Sequence, residues 1–147
     1  MRAVVQRVTS ADVKIDGEIR GEIGAGFMVL LGVGEGDTDA DLKYIADKVI
    51  NLRIFSDENG KMNLSLADTG GEMLVISQFT LYGDCSRGRR PYFGDAMNPS
   101  EAEKMYGEFV EYVRAMGIHT ETGEFGADMK VTLTNDGPVT IILDSRK

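Results

Sequence analysis

Hydrophobic and polar residues in the first third of the chain alternate with a period of two: "RAVVQRVTSADVKI", then "EIRGEI", then "GFMVLLGV". This alternation predicts paired strands, with Gly17 and the Gly24-Ala25-Gly26 group supplying the turns. From Phe27 to Val33 both faces are apolar, which predicts a strand covered on both sides. The period then changes. In "DTDADLKYIADKVINL", Leu42, Ile45, Ala46, Val49 and Ile50 recur at helical spacing, with Asp37 or Thr38 as cap and an acidic first turn. "RIFSDENGKMNLSL" follows as a hairpin turning at Asn59-Gly60.

"MLVISQFTL", Met73 to Leu81, begins as a buried strand and becomes polar at Ser77-Gln78. A loop from Tyr82 to Asn98 leads to a second helix, capped by Asn98 with Pro99 in its first position. That helix runs through Ala102, Met105, Tyr106, Phe109, Val110, Val113 and Met116 and stops at Gly117, with Met105 and Met116 expected as core fillers. Strand patterns return in "GIHTETGEFG", "DMKVTLTN" and "VTIILDS". The last two are split by Asn135-Asp136-Gly137-Pro138. Asn, Asp and Gly suit a tight hairpin, whereas Pro138 brings no N–H to a following ladder, so the segment reads as a chain reversal with an ill-placed proline. Many strands with two main helices predict one α+β domain over residues 1–147, its mixed β-sheet strongly curved or barrel-like.

Composition narrows the partners. With 42% hydrophobic and 27% charged residues, the chain is ordinary for a globular protein. A net charge of −8 argues against coating nucleic acid through bulk electrostatics, which needs many cationic contacts to phosphate. A local basic contact is still available in "CSRGRRPYF", where Arg87, Arg89 and Arg90 stand beside Tyr92 and Phe93; its plain alternative is a solvated loop. No apolar run approaches the roughly 18 residues of a membrane span, and a cytoplasmic location is expected. One cysteine and one histidine give no disulfide framework and argue against a structural zinc site; no motif for a cofactor is found, and none is expected.

Candidate chemistry begins with Ser77, Gln78 and Thr80, polar groups on a segment that otherwise reads as core. They either face solvent at a strand end or build a site. A serine or threonine nucleophile needs a base within hydrogen-bond reach. His119, in a predicted strand after the second helix, reads as structural or exposed, and Cys85 near Arg87 has no third orienting group. The carboxylates are scattered, and "GVGEGD" reads as a strand-to-helix turn.

Taken together and in order, "SQFTL" (Ser77–Leu81) and "NDGPVT" (Asn135–Thr140) resemble the paired signatures of the D-aminoacyl-tRNA deacylase family. The likeness continues through "MRAVVQRV", "GKMNLSL", "SQFTLYGD", the "NPSEAEKMY" helix opening and "GEFGADMKVTLTNDGPVTIIL". The resemblance implies a metal-free, homodimeric hydrolase that frees tRNA from wrongly esterified D-amino acids and from glycine. It implies a cis bond at Gly137-Pro138 and a Gly-Pro pair that reaches into the partner's site. Main-chain carbonyls there would exclude an L side chain by clash and leave a D side chain pointing outward. Ser77, Gln78 and Thr80 are implied around the scissile ester, Phe79 near the terminal adenosine, and Arg7 and Met129 near the Gly-Pro loop. Thr80 has two readings: a nucleophilic hydroxyl, or a backbone N–H that holds the oxyanion while the ribose 2′-hydroxyl assists a water. The lack of a base at fixed spacing favours the second. Arg87, Arg89 and Arg90 are expected to hold the aminoacylated 3′ end of the tRNA; neither DNA nor a membrane is an expected partner. The alternatives are a non-enzymatic RNA-end-binding barrel and a tRNA-independent D-aminoacyl ester hydrolase.

Overall fold

The computed structural model describes all 147 residues. In chain order the elements are β1 (Arg2–Ile15), β2 (Glu18–Ile23), β3 (Gly26–Gly32), α1 (Asp39–Asn51), β4 (Phe55–Ser56), β5 (Met62–Leu64), α2 (Leu66–Thr69), β6 (Glu72–Ser77), a 3-10 turn (Phe79–Tyr82), α3 (Pro99–Ala115), β7 (Thr120–Thr122) and β8 (Lys130–Asp144). The alternating first third pairs as its period predicts. β1 runs antiparallel to β2 through a turn at Asp16-Gly17, both at positive φ, and antiparallel to β3 from Arg2↔Gly32 to Val8↔Gly26. β3 and β6 are parallel, as are β6 and β7, while β8 lies antiparallel along the other edge of β1. The mixed sheet curls until β2 meets β7: a Cβ on Gly21 would stand 2.7 Å from the Thr122 carbonyl oxygen. The result is a single α+β domain with a nearly closed, barrel-like sheet.

The curl makes two apolar compartments. One joins Phe27, Val29 and Leu31 of β3 to Leu42 and Ile45 of α1 and Phe109 of α3. The other, on the opposite face, gathers Val8, Ala11, Val13, Ile23, Met28, Leu74 and Ile76. β3 feeds both compartments, which is why its sequence is apolar throughout. β1 changes face along its length: Ala3 and Val5 serve the helical compartment, and Val8, Ala11 and Val13 the second. The change of phase falls where the register against β8 breaks, between Gln6 and Val8 and again between Val8 and Ser10.

Those breaks correct the hairpin expected at residues 135–138. There is no chain reversal. β8 continues through the segment, pairing with β1 from Lys14↔Lys130 through Val8↔Asn135 to Gln6↔Thr140 and on to Arg2↔Asp144. β8 advances five residues where β1 advances two, so residues 136–139 stand out as a bulge. A 14-residue β1 is long enough to pair with both halves, and a bulge asks no ladder N–H of Pro138. The Gly137-Pro138 bond is cis, and Gly137 has φ +128°, a backbone conformation that favours glycine.

Smaller differences have local causes. α2 forms where the sequence reads as the tail of a strand, because Ser65 and Asp68 make a capping box: Asp68 N–H donates to Ser65 Oγ at 3.1 Å and Ser65 N–H to Asp68 Oδ2 at 2.9 Å. Only Thr120–Thr122 of "GIHTETGEFG" is strand, and Met116 is half-exposed at the end of α3 rather than core. Thr38, not Asp37, caps α1. Asp37 is instead a buried anchor, paired with the Met1 ammonium at 2.7 Å and with Arg146 at 2.8 Å while accepting the Gly34 N–H at 2.6 Å. No helix is long and apolar enough to cross a membrane.

Candidate active site

β6 delivers the first candidate residues. Its main chain ends at Ser77, and the Gln78 N–H still donates to the Leu31 carbonyl of β3 at 2.8 Å. Past that bond the chain tightens into the 3-10 turn, closed by Leu81 N–H to Gln78 O at 3.3 Å and Gly83 N–H to Thr80 O at 3.0 Å. The first N–H groups of such a turn have no partner inside it. Those of Phe79 and Thr80 find no acceptor elsewhere in the chain either. The Gln78 side-chain amide donates to Thr80 Oγ1, so that oxygen is an acceptor and no base faces it.

Beside this turn lies a cavity of about 300 Å³ lined by Ser77, Gln78 and Phe79 and by Met129 at the approach to β8. The rest of its wall is apolar, including Leu31, Val33, Tyr106 and Phe125. None of these four stands out as a site residue in the sequence. The fold carries them here because β7 stops at Thr122, opposite Val75, and leaves the end of β6 uncovered. Tyr106 reaches from α3 and donates its hydroxyl to the Val75 carbonyl at 2.7 Å. Burial pushes the Tyr106 phenol up to about 12, so it stays protonated at neutral pH. The one sequence signal for this wall is the helical phase of Tyr106, which puts it on the buried face of α3 with Ala102 and Phe109.

Arg7, Gly137 and Pro138 are not brought to this cavity. Arg7 Nε donates to the Asp136 carbonyl at 3.0 Å and Nη1 to the Ile54 carbonyl at 2.5 Å, which fastens the bulge to the chain entering β4. The Arg7 guanidinium also pairs with the Asp136 carboxylate at 3.6 Å. Two strands, β1 and β3, separate the bulge from β6, and the register sets Arg7 level with Phe27 and Met73, four residues before Ser77. At about 4.8 Å per strand and 3.3 Å per residue, the bulge lies well over 10 Å from its own chain's cavity.

Arg87, Arg89 and Arg90 project from the loop after the 3-10 turn and make no hydrogen bond or ion pair, although the other arginines of the chain are all engaged. His119 sits away from the cavity, exposed, with Nε2 at 3.5 Å from both Glu72 and Glu121. Cys85 is exposed in the arginine loop.

A family model described as D-Tyr-tRNA(Tyr) deacylase matches residues 4–144. Proteins called D-aminoacyl-tRNA deacylase from Clostridium beijerinckii and Fervidobacterium nodosum are 63% and 60% identical to this chain over 147 residues, covering all of it and 99% of their own length. Among solved structures, the c-Myc DNA Unwinding Element Binding Protein superposes with a TM-score of 0.93 at 44% identity over 98% of both chains. A probable eukaryotic D-amino acid tRNA deacylase superposes with a TM-score of 0.81 over 97% of both; at 18% identity that likeness concerns the fold.

Proposed function

The chain belongs to the D-aminoacyl-tRNA deacylase family of ester hydrolases, and on that premise we propose how its residues divide the work. Its substrate is a D-amino acid, or glycine, esterified to the terminal adenosine of a tRNA. Water adds to the ester carbonyl carbon and the bond to the ribose 3′-oxygen breaks. That oxygen leaves as a hydroxyl after taking a proton, and the free amino acid departs. The reading takes its main support from the cavity beside the Ser77–Thr80 turn, a largely apolar pocket with Phe79 in its wall and Thr80, whose main-chain N–H is likewise unpaired, exposed one residue beyond it. The N–H groups of Phe79 and Thr80 are donors for the oxyanion, and such donors act most strongly where water is excluded. Ser77 and Gln78 orient the ester, and Phe79 and Met129 flank the adenosine.

The Thr80 hydroxyl is not the nucleophile in this scheme. Its oxygen already accepts from Gln78, and no imidazole or carboxylate stands by to take its proton. The 2′-hydroxyl of the substrate ribose assists the water instead.

Selection against L-amino acids falls to Gly137 and Pro138, held by Arg7. Because the bulge lies away from its own chain's cavity, it serves the site of a second copy, and the working unit is a homodimer. Arg87, Arg89 and Arg90 take tRNA phosphates, and the protein acts in the cytoplasm, where aminoacylated tRNA is made. An RNA-end-binding protein without catalysis is the competing reading, favoured by the exposed arginine loop.

Release of tyrosine from D-tyrosyl-tRNA, L-tyrosyl-tRNA and a small D-tyrosyl ester separates these readings. Rapid release from the D-tRNA alone is expected. No release from it sinks the hydrolase, equal release from the L-tRNA sinks selection by the bulge, and comparable release from the small ester makes the tRNA dispensable. Light scattering should give a dimer; a monomer at working concentration ends the cross-subunit reading.

A further inference from the structure

Phe79, at the mouth of the cavity, is 56% exposed, and its ring meets Phe93 edge to face at 5.1 Å between centroids. Phe93 follows Tyr92, which is 62% exposed. Three large aromatic surfaces facing solvent are costly unless something covers them.

These rings are seated, not loose. A Cβ on Gly83 would stand 3.0 Å from Phe93 Cε1, so glycine there lets the Phe93 ring lie against the main chain. A Cβ on Gly94 would fall 1.9 Å from Tyr92 Oη, so that ring crosses Gly94 in the same way. Main-chain bonds between Asp84 and Tyr92, at 2.8 and 2.9 Å, close the base of the loop. Glu35 N–H to Asp95 O at 2.8 Å and Met97 N–H to Val33 O at 3.0 Å tie its end to the body of the domain. Within it, Arg87 and Arg90 line the same groove as Tyr92 together with the carboxylates of Asp84 and Asp95, yet neither guanidinium is ion-paired; Asp84 is instead engaged by the Ser86 N–H at 2.9 Å.

Exposed aromatic faces interleaved with free arginines form a surface for single-stranded nucleic acid: bases stack on the rings and phosphates meet the cations. We propose that this loop receives the unpaired nucleotides that precede the terminal adenosine of the tRNA, with Phe93 stacking the penultimate base and Arg87 and Arg90 taking the phosphates. The inference rests on the deacylase reading above. It adds a second subsite, continuous with the cavity through Phe79. The exposed rings select single-stranded RNA over a second copy of this chain, which would offer carboxylates to the arginines but no bases to stack on Tyr92 and Phe93.

Three D-tyrosyl esters test it: of adenosine, of the dinucleotide cytidylyl-adenosine, and of a CCA-ended minihelix. The wild-type protein is expected to prefer the dinucleotide ester to the adenosine ester in kcat/KM. Phe93→Leu, which keeps apolar packing on Gly83, should lose about tenfold on the dinucleotide ester and stay within about twofold on the adenosine ester. Arg90→Gln should lower activity on the minihelix and reduce its salt dependence. Equal losses of Phe93→Leu on both small esters, or no loss on either, overturn the subsite. So does a change of oligomeric state with parallel losses, which would make the platform a face between copies. If the wild-type protein hydrolyses none of the esters, the deacylase reading falls separately. Fluorescence anisotropy then decides the subsite: a labelled CCA-ended minihelix should bind Phe93→Leu more weakly than the wild type, and equal binding overturns the proposal.

Discussion

Gln78 donates its side-chain amide N–H to the hydroxyl oxygen of Thr80, two residues further along the same turn. A hydroxyl oxygen that is accepting a bond, with no base facing its proton, is poorly placed to attack a carbonyl. Thr80→Ala should therefore keep single-turnover hydrolysis of D-tyrosyl-tRNA within about tenfold of the wild type. Removing a true nucleophile costs several orders of magnitude, so a loss beyond roughly a thousandfold in a folded variant would restore the hydroxyl to that role.

Arg7 holds two carbonyls at once, those of Ile54 and Asp136, with a side chain that is 11% exposed. A lysine presents a single point of charge and cannot span both. Arg7→Lys should lower hydrolysis of D-tyrosyl-tRNA and raise the relative rate on L-tyrosyl-tRNA, because the bulge loses its strut. Unchanged selectivity would show that Gly137 and Pro138 hold their position without it.

Asp37 and the Met1 ammonium are both fully buried. Breaking a buried ion pair from one side leaves an uncompensated charge and costs about 3–5 kcal/mol. At about 2–4 °C per kcal/mol in a domain of this size, Asp37→Asn should lower Tm by about 10 °C. A shift under about 2 °C would mean that Ser145, which also accepts from the Met1 ammonium at 2.7 Å, suffices alone.

Asp57, Asp68 and Asp84 each accept backbone N–H bonds, from Lys61, Ser65 and Ser86 respectively, and these bonds hold their carboxyls below the usual range. A depressed folded-state pKa supplies stability that is complete above the unfolded value, near 3.9, and is lost as pH falls through the folded one. The urea midpoint should hold steady from about pH 8 to 5 and drop below about pH 4, and Asp68→Asn should shrink that drop. A midpoint that fell between pH 7 and 5 would point to other groups.

Sequence periodicity makes the elements legible wherever one face of an element decides its burial, as in β1, α1 and α3. It fails at residues 135–138, because the turn chemistry of Asn-Asp-Gly is local while the choice between reversal and bulge is made by β1, at the other end of the chain. Gly, Asn and Asp favour departure from the ladder; they do not say whether the chain comes back. The Ser77–Thr80 half of the site is visible as polarity interrupting a buried strand. Its apolar wall is not, since Val33, Tyr106 and Phe125 look like any other core residues until the short β7 leaves β6 uncovered. Phe93 stands out in the sequence only for its neighbours, and its pairing with Phe79 needs the loop to be folded.

In the proposed scheme the bulge at Gly137-Pro138 would read its substrate through main-chain oxygens, and those atoms are the same in every residue. If handedness is judged by them, no codon change can retune the judgement by swapping a side chain for a slightly different one. Mutation can bend the bulge, through Gly137, Pro138 or Arg7, or leave it alone. Such a device has almost no intermediate forms for selection to explore, and lineages that keep the enzyme are expected to inherit its stereochemical preference whole.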